Sequence, residues 1–471
     1  MPARALPPLS PPVSGACIDS LAAELDGQPA LELLRHPADL ARLSRDFNDY
    51  SPVLQPLLAG CRAQLVVRAL SVQAVMQVAA ACARHGVPLT VRGAGTGNYG
   101  QCVPLAGGVV LDLSGLTALR QLDPHSGVVT VEAGCVLADL DRQLAPHGRA
   151  LRLLPSTFRS ATVGGFLAGG SGGIGSLRWG FLRDPGHLLG LEVVTLEPQP
   201  RLLQLDAEAS TPLNHAYGSN GIITAVRLST CAAVAWQQLV VGFESWEAAL
   251  AVGRELPTTA LLLNALTLVE GPLAAGLPWP GGCPAASVTE PRLLLLAAPD
   301  TLEVLPAWLL RHGGRLLWQA GLGAQRGHGV RELGWNHTTL HWRAHYPEWT
   351  YLQMLLPEDP APLLSAVRQG WGDGLLWHLE AVRQQGQARL AGLPVLRWQG
   401  QEQLQSLIDL CRDQGAMVFD PHVVTVEDGG LGVIDADQVA AKGRHDPAGL
   451  LNPGKLRGWS APPPDISRIR G

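Results

Sequence analysis

Two glycine-rich segments constrain what this chain can fold into more than any other feature of its sequence. The first reads Arg92-Gly93-Ala94-Gly95-Thr96-Gly97-Asn98, and in the second, residues 162–180, 8 of 19 residues are glycine. Each follows an apolar run that predicts a β-strand, at 89–91 and at 151–154. Glycine permits positive φ and leaves no side chain over the neighbouring amides. Together the two segments are suited to one long diphosphate ligand held by a row of loop amides.

The first segment differs from the dinucleotide fingerprint of the Rossmann fold. Its spacing is G-x-G-x-G, and the apolar run that follows it, residues 109–113, predicts a strand. A Rossmann site requires a helix that begins directly after the glycine turn, because the N-terminus of that helix binds the pyrophosphate. We therefore predict that loop amides, rather than a helix terminus, bind the dinucleotide.

The rest of the pattern predicts mixed helices and strands in more than one domain. A strand at 65–68 precedes a helix that begins after Ser71 and ends at Gly86. A hairpin is predicted at 122–133, a helix at 137–144 and a strand at 189–196. Of the 13 tryptophans only Trp179 precedes position 232, which predicts a domain boundary near Cys231.

Composition excludes several classes of function. The formal net charge is −5, which does not fit a dedicated nucleic-acid binder. Of 35 basic residues only Lys442 and Lys455 are lysines, and neither lies in a Walker phosphate loop. No apolar run is long enough for a membrane span, and no secretory signal is recognisable. The eight cysteines contain no C-x-x-C pair, so we expect reduced thiols and a cytoplasmic protein.

The motifs, in their order along the chain, resemble the vanillyl-alcohol oxidase / p-cresol methylhydroxylase family of FAD-linked oxidases, whose FAD-binding domain is called PCMH-type. The order is V-R-G-A-G-T-G-N, P-S-x-x-x-x-A-T-V-G-G, G-S-x-R-W-G, G-L-E-V-V and Y-G-S-N-G-I-I-T. The C-terminal stretch from His445 to Lys455 resembles the closing motif of that family.

The resemblance implies an α+β fold with a two-part FAD-binding domain and an inserted α+β substrate domain, or cap. The predicted division is an N-terminal extension at 1–59, the FAD-binding domain at 60–232, the cap at 233–430, and a segment at 431–471 that returns to the FAD-binding domain. For Lys455, which the resemblance assigns to the FAD site, a surface position is the alternative. The residues that the resemblance assigns to the FAD site are Arg92, Gly93, Ala94, Gly95, Thr96, Gly97, Asn98, Ser156, Ala161, Thr162, Gly164, Gly165, Gly169, Gly172, Ser176, Ile222, Ile223, Asn452 and Lys455.

Two departures from the family pattern limit which family properties we expect of this chain. Members that attach FAD covalently carry a histidine in the first glycine loop or a cysteine after the second. This chain has Thr96 and Gly97 in the first loop and no cysteine between Cys135 and Cys231, so we expect FAD bound without a covalent link. The 2-hydroxy-acid dehydrogenase branch carries H-x-G-D-G-N-x-H and E-H-G, but here Gly370 replaces the first histidine and E-H-G is absent. A metal is therefore not expected, and a lactate or glycolate substrate is in doubt.

The cap contains no recognisable motif, so candidate catalytic residues come from periodicity. Residues 336–342 alternate with the period of a strand, which predicts His337, Thr339 and His341 on one face. Residues 377–381 predict a second strand with His378 and Glu380 on one face.

A neutral histidine is suited to removing the proton that accompanies hydride transfer. We predict that at least one of His337, His341, His378 and His422 lies near the substrate. His422 is included because it precedes the return to the FAD-binding domain. The alternative for each histidine is an ordinary position on a half-exposed sheet.

The resemblance implies an FAD-dependent oxidoreductase that oxidises a small alcohol, hydroxy acid or amine by hydride transfer. Its partners would be the small-molecule donor and oxygen or another electron acceptor, with no nucleic acid. Two alternatives stay open: an inactive FAD-binding partner subunit, and an enzyme that reduces flavin with NADPH.

Overall fold

The computed structural model describes residues 6, 7, 9 and 13–459. The beginning of the predicted segment 1–59 and the end of the predicted segment 431–471 lie outside the described residues. The fold is a mixture of helices and strands arranged in four sheets.

The first sheet carries the first glycine segment at the end of one strand. Its strands are β1 (Leu31–Leu34), β2 (Leu65–Ala69), β3 (Leu89–Arg92) and β4 (Val109–Asp112). They lie in the order β1-β2-β4-β3, with β2 and β3 parallel to β4 and β1 antiparallel to β2. The strands predicted at 65–68, 89–91 and 109–113 are confirmed. The chain forms no helix between β3 and β4, as the rejection of a Rossmann site requires.

Four helices belong to this part of the chain: α1 (Gly15–Leu25), α2 (Pro37–Leu43), α3 (Leu54–Leu58) and α4 (Val72–His85). Helix α4 begins where the sequence predicts, because the Ser71 side chain accepts a hydrogen bond from the Ala74 N–H. It ends at Gly86, whose φ of 62° is the left-handed conformation expected of a stop residue. Helix α1 packs against α4 and buries Leu21 and Leu25 in the same core.

The second sheet is antiparallel and continues to the predicted boundary near Cys231. Its strands are β5 (Leu119–Asp123), β6 (Val128–Glu132), β7 (Arg149–Leu151), β8 (Leu188–Val194), β9 (Leu202–Asp206) and β10 (Ile222–Ala232). They lie in the order β5-β6-β10-β8-β9, and β7 also pairs with β10. The hairpin and the strand predicted at 189–196 are confirmed. The strand predicted at 151–154 is displaced: β7 ends at Leu151, and Leu154 forms only an isolated bridge to Ile174.

The helices of this second part are short. They are α5 (Leu137–Leu144), α6 (Val163–Gly169), α7 (Ser176–Trp179) and α8 (Ala207–Ser210). Helix α5 has the predicted bounds, and its buried Leu137, Leu140 and Leu144 recur at helical spacing. Helix α6 begins within the second glycine segment, where the Thr162 side chain accepts from the Gly165 N–H.

Residues 237–419 form a large sheet and a small one. The strands are β11 (Gln237–Gly242), β12 (Leu263–Val269), β13 (Arg292–Ala297), β14 (Arg315–Gly321), β15 (Trp349–Tyr351), β16 (Gln353–Leu355), β17 (Leu375–Leu376), β18 (His378–Gln384), β19 (Gln387–Gly392), β20 (Val395–Arg397) and β21 (Met417–Phe419). The eight-stranded sheet has the order β14-β11-β13-β12-β18-β19-β16-β21, and the three-stranded sheet has the order β15-β20-β17. Every residue of β13 is buried, as expected for a central strand covered on both faces.

Six helices accompany these two sheets, and two more follow them. They are α9 (Trp246–Glu255), α10 (Gly271–Ala275), α11 (Leu305–Arg311), α12 (Asn336–His345), α13 (Ala361–Trp371), α14 (Gln401–Asp413), α15 (Val426–Gly429) and α16 (Ala436–His445). In the part of the chain that the structure describes, no helix combines the length and the apolar character that a bilayer span requires.

The prediction of a strand at 336–342 is wrong, because these residues form the first part of helix α12. The alternation of His337, Thr339 and His341 suggested a strand, but residues four apart, such as His337 and His341, also share one face of a helix. Thr339 therefore does not lie on their face, and its side chain is fully buried. The strand predicted at 377–381 is confirmed as the start of β18.

After α16 the chain returns to the first sheet. The Leu89 N–H donates to the Leu450 carbonyl, and the Asn452 N–H donates to the Leu89 carbonyl. The last described segment thereby lies beside β3, at whose end the first glycine segment begins.

Candidate FAD and substrate site

One cavity of about 380 Å³ lies between the two glycine segments and residues 335–419. This volume is within the usual range for small-molecule sites. The glycine wall is contributed by residues 91–223, and the facing wall by residues 335–419. The members of the facing wall are Trp335, Asn336, His337, Leu340, Gln353, Met354, Leu355, Ala391, Leu393 and Phe419.

The first glycine segment presents a row of unpartnered backbone amides. None of the N–H groups of residues 93–98 donates a hydrogen bond to another described residue, although all six residues line the cavity. The next amide, that of Tyr99, donates to the Gln101 side chain at 3.3 Å. Successive free amides form an anion-binding concavity, because each carries a partial positive charge.

The amides at the start of α6 are already used within the chain. The Val163 and Gly164 N–H groups donate to the carbonyls of Cys135 and Ala133, at 2.9 and 2.8 Å, and the Gly165 N–H donates to Thr162 Oγ1 at 3.2 Å. The first three amides of α6 are therefore not free to bind an anion, whereas those of the loop are.

The two glycine segments contact each other directly. A Cβ at Gly93 would collide with Thr162 Oγ1, so only glycine allows this approach. Gln101 Nε2 also donates to the Gly169 carbonyl at 3.2 Å. Both segments consequently belong to a single wall of one cavity.

Two residues of the closing motif hold the first segment from behind. Lys455 Nζ donates to the Gly100 carbonyl at 2.6 Å, and Asn452 Nδ2 donates to the carbonyls of Gln101 and Tyr217 at 2.9 and 2.6 Å. Lys455 is fully buried, so the alternative of a surface position is wrong. Its burial lowers the pKa of the ammonium group, which the Asp46 carboxylate opposes. Burial likewise raises the pKa of Asp46, although the charge of Lys455 acts against this shift.

The Arg92 side chain also lies behind the first segment. Its guanidinium donates to the carbonyls of Arg45 and Ala94, and it would collide with a Cβ placed at Gly95, whose φ is +70°. Two cationic side chains, Arg92 and Lys455, thus stand behind the row of free amides, where their positive potential favours an anion.

The residues present fit FAD on observations independent of any sequence motif. A Cβ at Gly218, which lines the cavity, would meet only Val91 Cβ, at 3.7 Å, so it would occupy cavity space without colliding with the chain. Tyr217 lines the cavity with a buried hydroxyl that makes no hydrogen bond to a described residue. An unsatisfied buried hydroxyl costs free energy unless a ligand or water supplies a partner.

Most of the predicted FAD-site residues lie on this wall, and the others lie behind it. Arg92 contacts the loop at Ala94, and Lys455 and Asn452 contact Gly100 and Gln101, which follow the loop. Ser176 is buried and accepts from the Gly173 N–H, and Ile222 lies in the core beneath the first sheet. The predicted residues that line the cavity are Gly93, Ala94, Gly95, Thr96, Gly97, Asn98, Ser156, Ala161, Thr162, Gly164, Gly165, Gly169, Gly172 and Ile223.

Of the four candidate histidines, His337 alone lines the cavity. Neither of its ring nitrogens makes a hydrogen bond to a described residue. Burial, reinforced by the charge of nearby His341, lowers the pKa of His337 to about 4. The imidazole is therefore neutral at pH 7 and can accept a hydrogen bond or a proton.

The other three histidines are engaged elsewhere. His341 Nε2 lies 2.8 Å from the Glu332 carbonyl, behind His337 on the same helix face. His378 is fully buried and hydrogen-bonds Glu380 at 2.7 Å, so these two residues share one face as predicted, but within the core. His422 is fully buried between the Ser51 hydroxyl and the Tyr351 carbonyl. In the described part of the chain, no three His, Cys, Asp or Glu side chains converge as metal ligands would.

Sequence reasoning missed a polar chain across the cavity. Tyr99 Oη donates to Gln353 Oε1 at 2.6 Å, and Gln353 Nε2 donates to Asn336 Oδ1 at 3.0 Å. Asn336 Nδ2 makes no hydrogen bond to a described residue and adjoins His337 on α12. Tyr99 follows the first glycine segment directly, so the sequence could have placed Tyr99 near the predicted FAD site. No sequence signal pairs Gln353 with Asn336, because β16 and α12 meet only in the folded chain.

The comparisons with known proteins agree with this geometry. A family model described as "FAD binding domain" matches residues 63–199. Glycolate oxidase subunit GlcD of Bacillus subtilis is 32% identical over 120 residues, 26% of this chain and 25% of the relative. D-lactate dehydrogenase of Anaerostipes hadrus is 29% identical over 219 residues, 44% of this chain and 45% of the relative. The matches thus span a quarter to under half of the length of these curated relatives.

A solved structure with the same fold covers almost the whole chain. The structure of an alkyldihydroxyacetonephosphate synthase aligns with 96% of this chain and 88% of its own, with a TM-score of 0.72 and 15% identity. At this identity the likeness concerns the arrangement of helices and sheets alone. It extends the match beyond residue 199, where the family model ends.

Proposed function

We propose that this chain is an FAD-dependent oxidoreductase of the PCMH-type FAD-linked oxidase family, and that it oxidises a small alcohol, hydroxy acid or amine. The curated relatives named for glycolate and D-lactate support a hydroxyl-bearing donor. The observation that carries the proposal is the row of free amides at residues 93–98, which opens into the same cavity as His337.

The glycine wall would hold FAD without a covalent link. The amides of residues 93–98 bind the diphosphate, with Arg92 and Lys455 behind them. Thr162 and Gly169 keep the second glycine segment against the first. No cysteine or histidine is among the residues of the two glycine segments that line the cavity, which supports non-covalent binding.

The facing wall would hold the donor. We propose that residues 233–430 are an inserted cap. The proposal is supported by two sheets whose strands all come from residues 237–419, and by the return of the chain to β3 afterwards. When bound, FAD would supply a two-electron acceptor for the hydride of the donor carbon, and oxygen or another acceptor would reoxidise it. The His337 ring nitrogen accepts the proton from the donor hydroxyl, and the donor becomes a carbonyl compound.

Anaerobic flavin reduction tests this proposal. The FAD-loaded protein is mixed with separate panels of secondary alcohols, 2-hydroxy acids, amines and NADPH, and loss of the absorption of oxidised flavin is followed. We expect at least one alcohol or hydroxy acid to reduce the flavin, with dithionite as the control for complete reduction. Reduction by NADPH alone would favour the reductase, and no reduction by any panel would favour the inactive partner subunit.

A further inference from the structure

The facing wall is apolar apart from one polar edge. Seven of its ten residues are apolar, and Asn336, His337 and Gln353 supply the polar groups. None of the ten is Asp, Glu, Lys or Arg. The polar edge is continuous, because Gln353 bridges Tyr99 and Asn336.

The polar edge offers one free donor and one free acceptor, on two consecutive residues that both line the cavity. Asn336 Nδ2 can donate, and a ring nitrogen of neutral His337 can accept. A hydroxyl group needs both, since it accepts through its lone pairs and donates its proton. These two consecutive residues therefore suit the oxidisable end of an alcohol.

No arginine belongs to the facing wall, and the one arginine among the residues that line the cavity is paired. Arg159 lines the cavity, and its guanidinium donates through Nε and Nη2 to Glu332 Oε1 at 3.0 and 2.5 Å. Arg331 does not line the cavity; its guanidinium lies over the ring of Phe158 at 4.6 Å, and its buried Nε makes no hydrogen bond to a described residue. Arg389 does not line the cavity and donates to the Leu356 carbonyl at 2.6 Å. A substrate carboxylate would find no unpaired cation on the facing wall.

A carboxylate in this position would be costly. Moving an ionised carboxyl from water into an apolar cavity is unfavourable unless a cation or several donors compensate it. Aliphatic chains, by contrast, gain free energy against Met354, Leu355, Leu393 and Phe419.

We propose that the donor is an uncharged alcohol with an apolar body, bound with its hydroxyl at Asn336 and His337 and its body against the facing wall. This substrate class rests on the proposed function and narrows it. It differs from the glycolate and D-lactate in the names of the curated relatives, because both of those compounds carry a carboxylate.

Binding of two matched, unreactive ligands to the FAD-loaded protein tests the charge preference. Octanamide and octanoate have the same length and differ in charge, and calorimetry reports their binding without turnover. We expect octanamide to bind about tenfold more tightly or better, because the octanoate charge is uncompensated. Equal binding, tighter binding of octanoate, or no binding of either ligand would overturn the inference.

A substitution in the cavity tests whether an added positive charge reduces the preference for octanamide over octanoate. Leu340 lines the cavity and is 38% exposed, so the surface can accommodate a longer side chain there. Leu340→Arg adds a cation, and we expect it to lower the octanamide preference about tenfold, since an arginine can pair with a carboxylate. Leu340→Met is the control and retains the preference. An unchanged preference in Leu340→Arg would count against the inference.

Flavin reduction separates failure of this inference from failure of the proposed function. We expect 2-octanol to reduce the bound flavin faster than 2-hydroxyoctanoate. Faster reduction by the hydroxy acid would overturn the inference and leave the function standing. No reduction by either donor, by any shorter hydroxyl donor or by any amine would overturn the function, and the calorimetric ratio would still decide the charge preference.

Discussion

His337 differs from the other three candidate histidines in what surrounds its ring. It lies at the second position of α12 and lines the cavity, and neither of its ring nitrogens makes a hydrogen bond to a described residue. His341, His378 and His422 each have a hydrogen-bond partner within the chain. The sequence could identify the four residues as a group, because histidine chemistry suits the reaction. It could not rank them, because burial and partners depend on contacts distant in the chain.

The pH dependence of flavin reduction follows from the His337 pKa. Burial lowers this pKa to about 4, so the neutral, proton-accepting form predominates above that pH and is lost as the pH falls through 4. We expect the reduction rate to be insensitive to His337 titration near neutral pH and to decrease at the acid end. His337→Gln should slow reduction by about 10²–10⁴-fold and remove this acid limb, as measured by anaerobic stopped flow.

The control for His337→Gln is a change on the same helix. His345 is exposed near the end of α12, and His345→Gln should leave both the rate and the acid limb unchanged. If His337→Gln retained the wild-type profile, His337 would not be the proton acceptor.

The sequence predicted a strand where α12 begins. The prediction failed because a tertiary contact, rather than a local sequence signal, fixes the start of this helix. Trp335 precedes the helix with φ +53°, and no side chain of the local sequence caps the helix. The Trp335 N–H instead donates to the Glu380 carboxylate at 2.5 Å. Helix α4, by contrast, was predictable because Ser71 and Gly86 adjoin it in sequence. A cap supplied from a strand 45 residues away leaves no local pattern.

Glu380 acts as a positioning residue for α12. Its carboxylate accepts from Trp335 N–H and from Thr267 Oγ1 at 2.7 Å, and it contacts His378 Nε2 at 2.7 Å. Glu380→Gln replaces one acceptor oxygen with a donor, so one of these contacts is lost or becomes repulsive. We expect a loss of about 1–3 kcal/mol in the free energy of unfolding and slower flavin reduction, because Asn336 and His337 follow directly.

Glu270 provides the comparison for Glu380. It is also a buried carboxylate, and it accepts from the Trp377 N–H at 2.8 Å and pairs with Arg368, away from the facing wall. Glu270→Gln should lose similar stability in denaturant unfolding and yet keep the reduction rate and its acid limb. Equal effects of both variants on the rate and on the acid limb would contradict the positioning role of Glu380.

At the scale of the whole molecule, the cavity is assembled from parts far apart in the sequence. The glycine wall comes from residues 91–223, the facing wall from residues 335–419, and Asn452 and Lys455 support the first segment from the last described part of the chain. The sequence could predict the glycine wall, since its motifs are local and ordered. The facing wall has no motif, because its residues meet only through the packing of α12 against the large sheet.

The domain division stays a prediction that the sheet composition supports. The first two sheets use strands from residues 31–232, and the other two use strands from residues 237–419. The overall likeness to an alkyldihydroxyacetonephosphate synthase covers both parts.

The central claim is that free loop amides at residues 93–98 bind the diphosphate of FAD, and the FAD content per purified chain tests it most directly. A Cβ at Gly97 would also meet the end of the Gln101 side chain, so Gly97→Val is made together with Gln101→Ala, beside Gln101→Ala alone. Gly60→Val is a further control, because Gly60 is exposed with open space around it. We predict FAD bound in the wild type and both controls, and a colourless, folded Gly97→Val/Gln101→Ala protein after incubation with excess FAD. Full FAD content in that double variant would contradict the claim.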